Sequence, residues 1–150
     1  MKVLITLPKH LIDAFIDGRK TIEIRKNLPK LLIPGFDGFF AVEKGTQNVR
    51  CYCHVDAILP TVSYNGLYQR LRKYIFVDYE YFSKYAPDGT PLYLWYTDYV
   101  IALKKVTIAD LGVKKNPQQY VYVNPPIKNH IIEQVYNDAN TVCSVSKDDA

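Results

Sequence analysis

The first part of the chain carries two short apolar patterns of different period. Residues 2–7, KVLITL, form a mostly apolar run with the length of a buried strand. Pro8 suits the first turn of a helix because that position needs no N–H, and apolar residues then recur at helical spacing. These residues are Leu11, Ile12, Phe15 and Ile16. Gly18 follows where helices commonly close in the left-handed conformation, so the pattern predicts a strand and then a helix.

Strand patterns dominate the rest of the chain, and one helical segment interrupts them. The strand patterns lie at residues 21–24, 39–44, 49–59, 92–106 and 119–123. Short helices are predicted at residues 65–75 and 78–85, before a turn at Pro87-Asp88-Gly89. This order predicts an α+β domain with a small, mostly antiparallel β-barrel or curled sheet.

The length of the chain indicates one domain. A chain of 150 residues, 48% of them hydrophobic, can bury a core without disulfides or a metal. We place this domain at residues 1–125 and a C-terminal helix with a frayed tail at 126–150. Pro126 is expected to begin that helix, with Ile127, Ile131 and Val135 on one face.

The charge and hydropathy of the chain limit the kinds of partner and the cellular location that we expect. The 19 basic and 15 acidic residues give a net charge of +4, which mildly favours an anionic partner. Pro8 breaks the first apolar run too early for a signal peptide, and no later run approaches the roughly 20 apolar residues of a membrane span. We therefore expect a soluble, cytoplasmic protein with no membrane partner.

Two cysteines lie one residue apart, so on a strand Cys51 and Cys53 point to the same face. Such neighbours rarely satisfy the geometry of a disulfide. With His54 they could suggest a metal site, but the sequence has no second cluster of ligands. We expect buried structural thiols, no metal and no cofactor.

Residues 17–26, DGRKTIEIRK, combine many charges with two isoleucines at strand spacing. On a strand, Glu23 and Arg25 share one face, and the isoleucines take the other face, which is expected to lie on the core. Alternation does not settle the direction of Lys20, which lies close to the preceding turn. Two interpretations are open. The charges form either a solvated face with ion pairs of about 0–1 kcal/mol each, or a pocket wall with partly desolvated, paired charges.

The spacing Gly18-x-Lys20-x-x-x-x-Arg25 after an amphipathic helix resembles the signature of the ASCH family, within the PUA-like superfamily. The run GRKTIEIR is close to the usual form of that signature. The likeness continues in the long strand 51–59 and, after the helical insertion, in the aromatic-bearing strand 92–101.

Residues 116–123, NPQQYVYV, resemble the last strand of some bacterial and phage members of the family, so the resemblance covers residues 1–123. It implies a PUA-like β-barrel with an N-terminal helix and a helical insertion flanking a cleft. The resemblance further implies that the signature residues line this cleft and that the ligand is RNA or a nucleotide.

Some small bacterial members of the family hydrolyse acetylcytidine with a lysine, a threonine and a glutamate. The lysine matches Lys20, but the threonine position holds Glu23, and a carboxylate is a poor substitute for a hydroxyl nucleophile. Glu80 in DYEYF is the best match for the glutamate. A structural ion network is the alternative to a catalytic role for these residues.

Nine of the 13 tyrosines lie between Tyr64 and Tyr99. They form either a stacking platform for bases or the packing of the helical insertion against the sheet. Trp95 joins this group. Packing accounts for most of these aromatic residues, and we expect Tyr79, Tyr81 and Trp95 to be the exposed minority. Cations for the platform come from Arg70, Arg72 and Lys73.

The sequence thus favours a domain that binds RNA or a modified nucleotide in a charged cleft. The expected ligand-binding residues are Lys20, Glu23, Arg25, Tyr79, Tyr81 and Trp95. The first alternative is an amidohydrolase of acylated nucleosides, with Lys20, Glu23 and Glu80 as its catalytic residues. The second is a non-catalytic protein-interaction domain. We assign no function to the three histidines, and His10 is expected on the outer side of the first helix.

Overall fold

The computed structural model describes residues 2–28 and 37–123, together with Ile131, Glu133 and Val135. In chain order its elements are β1 (Lys2–Leu7), α1 (Lys9–Ile16), β2 (Ile22–Arg25), β3 (Gly38–Glu43), β4 (Val49–Val62), α2 (Leu67–Ile75), α3 (Tyr79–Tyr85), β5 (Pro91–Ala102) and β6 (Val121–Val123). A 3-10 helix at Ile108–Leu111 precedes β6. The strands and helices predicted within these ranges are confirmed in type and order.

The ends of the strands differ from the prediction for local reasons. β5 stops at Ala102 rather than at residue 106, and Lys105 has a left-handed backbone with a φ of 56° that a strand does not accommodate. β6 begins at Val121 rather than at residue 119, and the carbonyl of Gln119 accepts a hydrogen bond from the side chain of Arg25. The strand ladder is therefore shorter at both places.

The six strands form one mixed sheet in the order β2-β5-β4-β3-β1-β6. β1 pairs with β3 in parallel, and the other neighbours are antiparallel. The prediction of an α+β domain with a mostly antiparallel sheet is therefore confirmed. The prediction of a barrel is only partly right, because the edge strands β2 and β6 do not pair within residues 2–28 and 37–123.

One face of the sheet packs against α1. The ring of Phe15 on α1 meets Phe39 on β3 edge-on, with the centroids 5.7 Å apart. Phe39 in turn lies 5.8 Å from the ring of Trp95 on β5. Because aromatic side chains bury a large area each, this row forms the centre of the core on the α1 side.

Helices α2 and α3 cover the opposite face of β2. Ile22 and Ile24 pack there with Leu71 and Phe82, so the prediction that the isoleucines face a core is confirmed. Glu23, between the isoleucines, is also buried. β2 is therefore largely buried on both faces, and the interpretation of its charged face as solvated does not match this burial.

Most of residues 126–150 lie outside the described part of the chain, and so does most of the connector at 28–38. Ile131, Glu133 and Val135 have helical backbone at positions where the last helix is predicted, and Ile131 is fully buried. Ile127 and the tail are among the residues that are not described. In the described ranges, every helix is too short or too polar to cross a membrane.

Candidate functional site

A cleft of about 1090 Å³ opens beside β2. β2 and the residues after it contribute Glu23, Arg25, Lys26 and Asn27. α3 and its N-cap contribute Asp78, Tyr81 and Tyr85. The opposite side includes Thr6, Leu7, Pro8, His10, Leu11, Lys44 and residues 117–120. The cleft therefore has a wall of mixed charge on the β2 side and a wall on the α1 side that combines apolar residues with polar groups and the cation of Lys44.

The carboxylate of Glu23 lies between two cations. One of its oxygens, Oε1, is 3.4 Å from Nζ of Lys20, and the other, Oε2, is 3.6 Å from Nη1 of Arg25. The side chain of Glu23 is almost fully buried but still contributes to the surface of the cleft. The pocket-wall interpretation of the charged strand thus matches the geometry better than a solvated face.

Lys20 lies behind Glu23 rather than on the cleft surface. Its Nζ donates to the carbonyl oxygens of Ile22 at 2.9 Å and Ile75 at 2.6 Å, and its side chain is 0% exposed. With Glu23 these oxygens provide three acceptors for the three N–H groups of an ammonium. Burial lowers the pKa of Lys20, and the Glu23 carboxylate opposes that shift. The expectation that Lys20 contacts a ligand directly stays a prediction, and in this structure its ammonium pairs with Glu23 behind the cleft surface.

The backbone explains why Lys20 turns inward. Gly18 has a φ of +85° after α1, and the N–H of Lys20 donates to the carbonyl of Ala14 at 2.9 Å. Thr21 then donates its N–H to the carbonyl of Tyr74 on α2. The turn directs Lys20 toward the C-terminal end of α2, where a cation is favourable because carbonyl groups there lack helical partners.

Arg25 connects β2 with the segment before β6. Its Nη2 donates to the carbonyl of Gln119, and Nδ2 of Asn27 lies 3.5 Å from the side-chain oxygen of Gln119. At the other end of the same segment, Oγ1 of Thr6 donates to the carbonyl of Pro117 at 2.7 Å. The segment 117–120 therefore runs along the cleft from β1 to β2.

Two tyrosines of α3 form the aromatic wall of the cleft. The rings of Tyr81 and Tyr85 are stacked, with centroids 5.8 Å apart and planes 10° apart. Burial raises the pKa of both phenols, which therefore remain protonated at neutral pH. Nζ of Lys26 lies over the ring of Tyr85, 4.5 Å from its centroid. This side of the cleft is therefore an aromatic surface with a cation at its rim.

Three other residues expected in the site lie elsewhere. Trp95 is 0% exposed in the core under α1, so the expectation that it is exposed is wrong. Glu80 is outside the cleft, with its exposed carboxylate paired to Lys84 at 3.1 Å. Tyr79 is exposed as expected, but it packs against Tyr68 and does not line the cleft. The structure thus brings together Lys20, Glu23, Arg25 and Tyr81.

Several cleft residues are not predicted from the sequence. His10 is expected on the outer side of α1, but it lines the cleft. Lys44 and Gln118 join it from two other parts of the chain. In the sequence, the run NPQQY contributes only to the family resemblance. Its Pro-Gln composition is the one signal that could have indicated the part of the cleft formed by residues 117–120.

The cysteines and His54 occupy opposite faces of β4. Cys51 and Cys53 are buried as free thiols with their Sγ atoms 3.8 Å apart, as predicted, and burial raises the pKa of Cys53. His54 points to the other face, where its Nδ1 lies 2.6 Å from a carboxylate oxygen of Asp98 and its ring stacks on Tyr99. The two thiols and His54 therefore do not form a common metal site.

Several solved structures share this fold, and three of them are ASCH proteins from Zymomonas mobilis. Two are mutant forms with TM-scores of 0.73 and 14% identity, which cover 88% of this chain and 94% and 96% of their own. The third has a TM-score of 0.66 and 14% identity, over 91% of this chain and 94% of its own. No protein-family model and no curated protein matches the sequence. The structural likeness shows the fold alone, and the chain has an ASCH-domain fold.

Proposed function

Given this ASCH-domain fold, we propose that the cleft binds a nucleotide, either free or as part of a single RNA strand. The observation that carries the proposal is the carboxylate of Glu23, held between Lys20 and Arg25 on the cleft wall beside the stacked rings of Tyr81 and Tyr85. A fixed acceptor next to aromatic faces suits a nucleobase, which is read by stacking and by hydrogen bonds to its edge.

Glu23 supplies the contact to the base edge. An ionised carboxylate only accepts hydrogen bonds, so it selects ligand groups that donate, such as the amino and imino groups of bases. Each of its oxygens already faces a different cation, which fixes the plane of the carboxylate before a ligand arrives. Because the group is nearly buried, a hydrogen bond to it is stronger than one in open water.

Tyr81 supplies the stacking contact. This residue is 53% exposed, so one part of the ring is open to a ligand while Tyr85 supports the other side. Stacking of a base on such a ring contributes about 1–3 kcal/mol. Lys26 at the rim and the guanidinium of Arg25 add positive charge that favours a phosphate.

Binding is favoured over hydrolysis by the placement of the candidate catalytic groups. The donors of Lys20 are used by Glu23 and two backbone carbonyls. Glu80 lies outside the cleft in an exposed pair with Lys84. Glu80 is therefore not placed among the groups that line the cleft, where a general acid or base would act.

The test compares two neighbouring tyrosines of α3. Fluorescein-labelled single-stranded RNA of mixed sequence and the four ribonucleoside monophosphates are titrated against the protein at 50 and 200 mM salt. We expect the protein to bind RNA, and we expect this binding to weaken as the salt concentration rises. Tyr81→Ala should weaken the binding about tenfold, because one stacked base is lost. Tyr79→Ala is the matched control, because Tyr79 is more exposed but lies outside the cleft.

The proposal is wrong if neither RNA nor any mononucleotide binds, or if the two tyrosine variants weaken binding equally. Circular dichroism of both variants checks that the fold is retained. A protein partner that remains bound after nuclease treatment of a lysate, together with no RNA binding, supports the protein-interaction alternative instead.

A further inference from the structure

We propose that the cleft holds two consecutive nucleotides of a single strand, one at each end, rather than one mononucleotide. This inference rests on the proposed function and adds the length of the ligand to it. The first nucleotide lies at the Glu23 end, and the second lies at an end formed by Lys44, His10 and Tyr120.

The size of the cleft supports a ligand longer than one nucleotide. Its volume of about 1090 Å³ lies above the range of roughly 300–1,000 Å³ that is usual for sites of drug-sized ligands. A mononucleotide is within that drug-sized class. A single mononucleotide at the Glu23 end would leave much of the cleft filled only with water.

The two ends are carried by parts of the sheet that are far apart in strand order. Glu23 and Arg25 lie on β2, whereas Thr6 lies on β1, and β5, β4 and β3 separate these strands. The segment 117–120 joins the ends, since it is bonded to Thr6 at Pro117 and to Arg25 at Gln119. The segment therefore contacts both sides of the cleft, through two bonds that are at most about 7 Å apart along the chain.

The second end has the chemistry of a site for a phosphate and a base. Within residues 2–28 and 37–123, Lys44 is exposed and makes no ion pair, while its N–H is fixed to the carbonyl of Leu7 at 2.9 Å. The acidic side chains of the lining, Glu23 and Asp78, both belong to the β2 and α3 wall. An anionic phosphate is therefore favoured on the Lys44 side.

Tyr120 and Gln118 complete the second end. The ring of Tyr120 is partly exposed on the cleft and is supported by Tyr122, whose ring meets it edge-on with centroids 5.6 Å apart. Gln118 is exposed beside it and offers both a donor and an acceptor to a base edge. An aromatic ring, an amide and a cation on one side of the cleft suit a nucleotide, and at the first end the carboxylate of Glu23 takes the place of the amide.

The experiment measures the length dependence of binding by calorimetry. The four ribonucleoside 5′-monophosphates and the sixteen 5′-phosphorylated ribodinucleotides are titrated against wild type, Lys44→Ala and Lys44→Glu. We expect the best dinucleotide to bind at least tenfold more tightly than either of its mononucleotides. Lys44→Ala should weaken the dinucleotide about fivefold and change mononucleotide binding less than twofold, and Lys44→Glu should weaken the dinucleotide further. Lys104→Ala is the control, since Lys104 is exposed outside the cleft.

Dinucleotides that bind no more tightly than mononucleotides overturn this inference and leave the proposed function intact. The inference is also wrong if Lys44→Ala weakens both lengths equally or if Lys104→Ala has the same effect. Absence of binding by both lengths overturns the proposed function and this inference together.

Discussion

At the scale of single residues, the candidate site depends on the burial of Glu23 and on the direction of the Lys20 side chain. Alternation along the strand places Glu23 and Arg25 on one face correctly, because that periodicity is a local property of the backbone. The burial of Glu23 and the direction of Lys20 could not be predicted in the same way. They depend on the carbonyl of Ile75, 55 positions away in the chain, and on the turn at Gly18.

We predict strong energetic coupling between Lys20 and Glu23. Glu23→Leu alone should lower the free energy of unfolding by about 3–5 kcal/mol, because it leaves the buried ammonium of Lys20 without an anionic partner. Lys20→Met alone should cost less, because Glu23 keeps its contact with Arg25. The double variant should lower the free energy of unfolding by clearly less than the sum of the two single effects. Urea unfolding of the four proteins measures the coupling.

The exposed pair Glu80 and Lys84 provides the comparison for this cycle. Their atoms are 3.1 Å apart, but both side chains lie in solvent, so we expect a coupling below about 1 kcal/mol. Equal coupling for the two pairs, or additive effects of Lys20→Met and Glu23→Leu, would contradict the role of Lys20 as a positioning residue for Glu23.

At the scale of helices and strands, type and order were predictable and contacts were not. The apolar spacing of α1, the length of β4 and the two helices of the insertion are visible in the sequence. The exposure of individual aromatic residues is not, because it depends on strand register. Trp95 pairs with Glu23 across β2 and β5, which directs its ring into the core under α1. Phe76, left-handed with a φ of 56° between α2 and α3, also has no sequence signal.

The start of β3 has room for glycine only. A Cβ on Gly38 would lie 2.4 Å from the carbonyl oxygen of Cys53 and 2.5 Å from the hydroxyl of Tyr52. We therefore expect Gly38→Ala to lower the free energy of unfolding by about 1–3 kcal/mol through overpacking. It should also speed hydrogen exchange in the β3–β4 ladder, measured by mass spectrometry.

Gly18→Ala is the matched control for this prediction. No atom lies within 4 Å of a Cβ at that position, so the substitution costs stability only through its positive φ of +85°. Exchange in the β3–β4 ladder should then remain as in wild type. Identical exchange profiles for the two variants would argue against a steric effect at Gly38.

At the scale of the whole molecule, strands that are far apart in the order of the sheet line one cleft. The gap between the edge strands is bridged by the hydrogen bond from Arg25 to Gln119, which lie 94 positions apart. A local pattern cannot predict such a contact. The expectation of a barrel therefore overestimates the pairing, although it correctly indicates a mostly antiparallel sheet.

We predict that Arg25 stabilises the segment before β6 and β6 itself. Arg25→Ala should speed hydrogen exchange at residues 118–123 about tenfold, because a hydrogen bond to a charged group contributes about 1.5–3 kcal/mol. Exchange in β3 and β4 should not change. Arg70→Ala, on the exposed side of α2, is the control, and equal effects of both variants would refute the bridge.

The pairing of β1 with β6 also decides when the domain can finish folding during its synthesis. Leu4 lies opposite Val121, so among the described strands the outer edge of β1 stays unpaired until β6 has left the ribosome. At a synthesis rate of about 5–20 residues per second, the interval between the synthesis of β1 and that of β6 lasts roughly ten seconds. An open edge can pair with a strand of another nascent chain. Crowded polysomes should therefore favour misassembly of this protein, and dilute translation should favour the native fold.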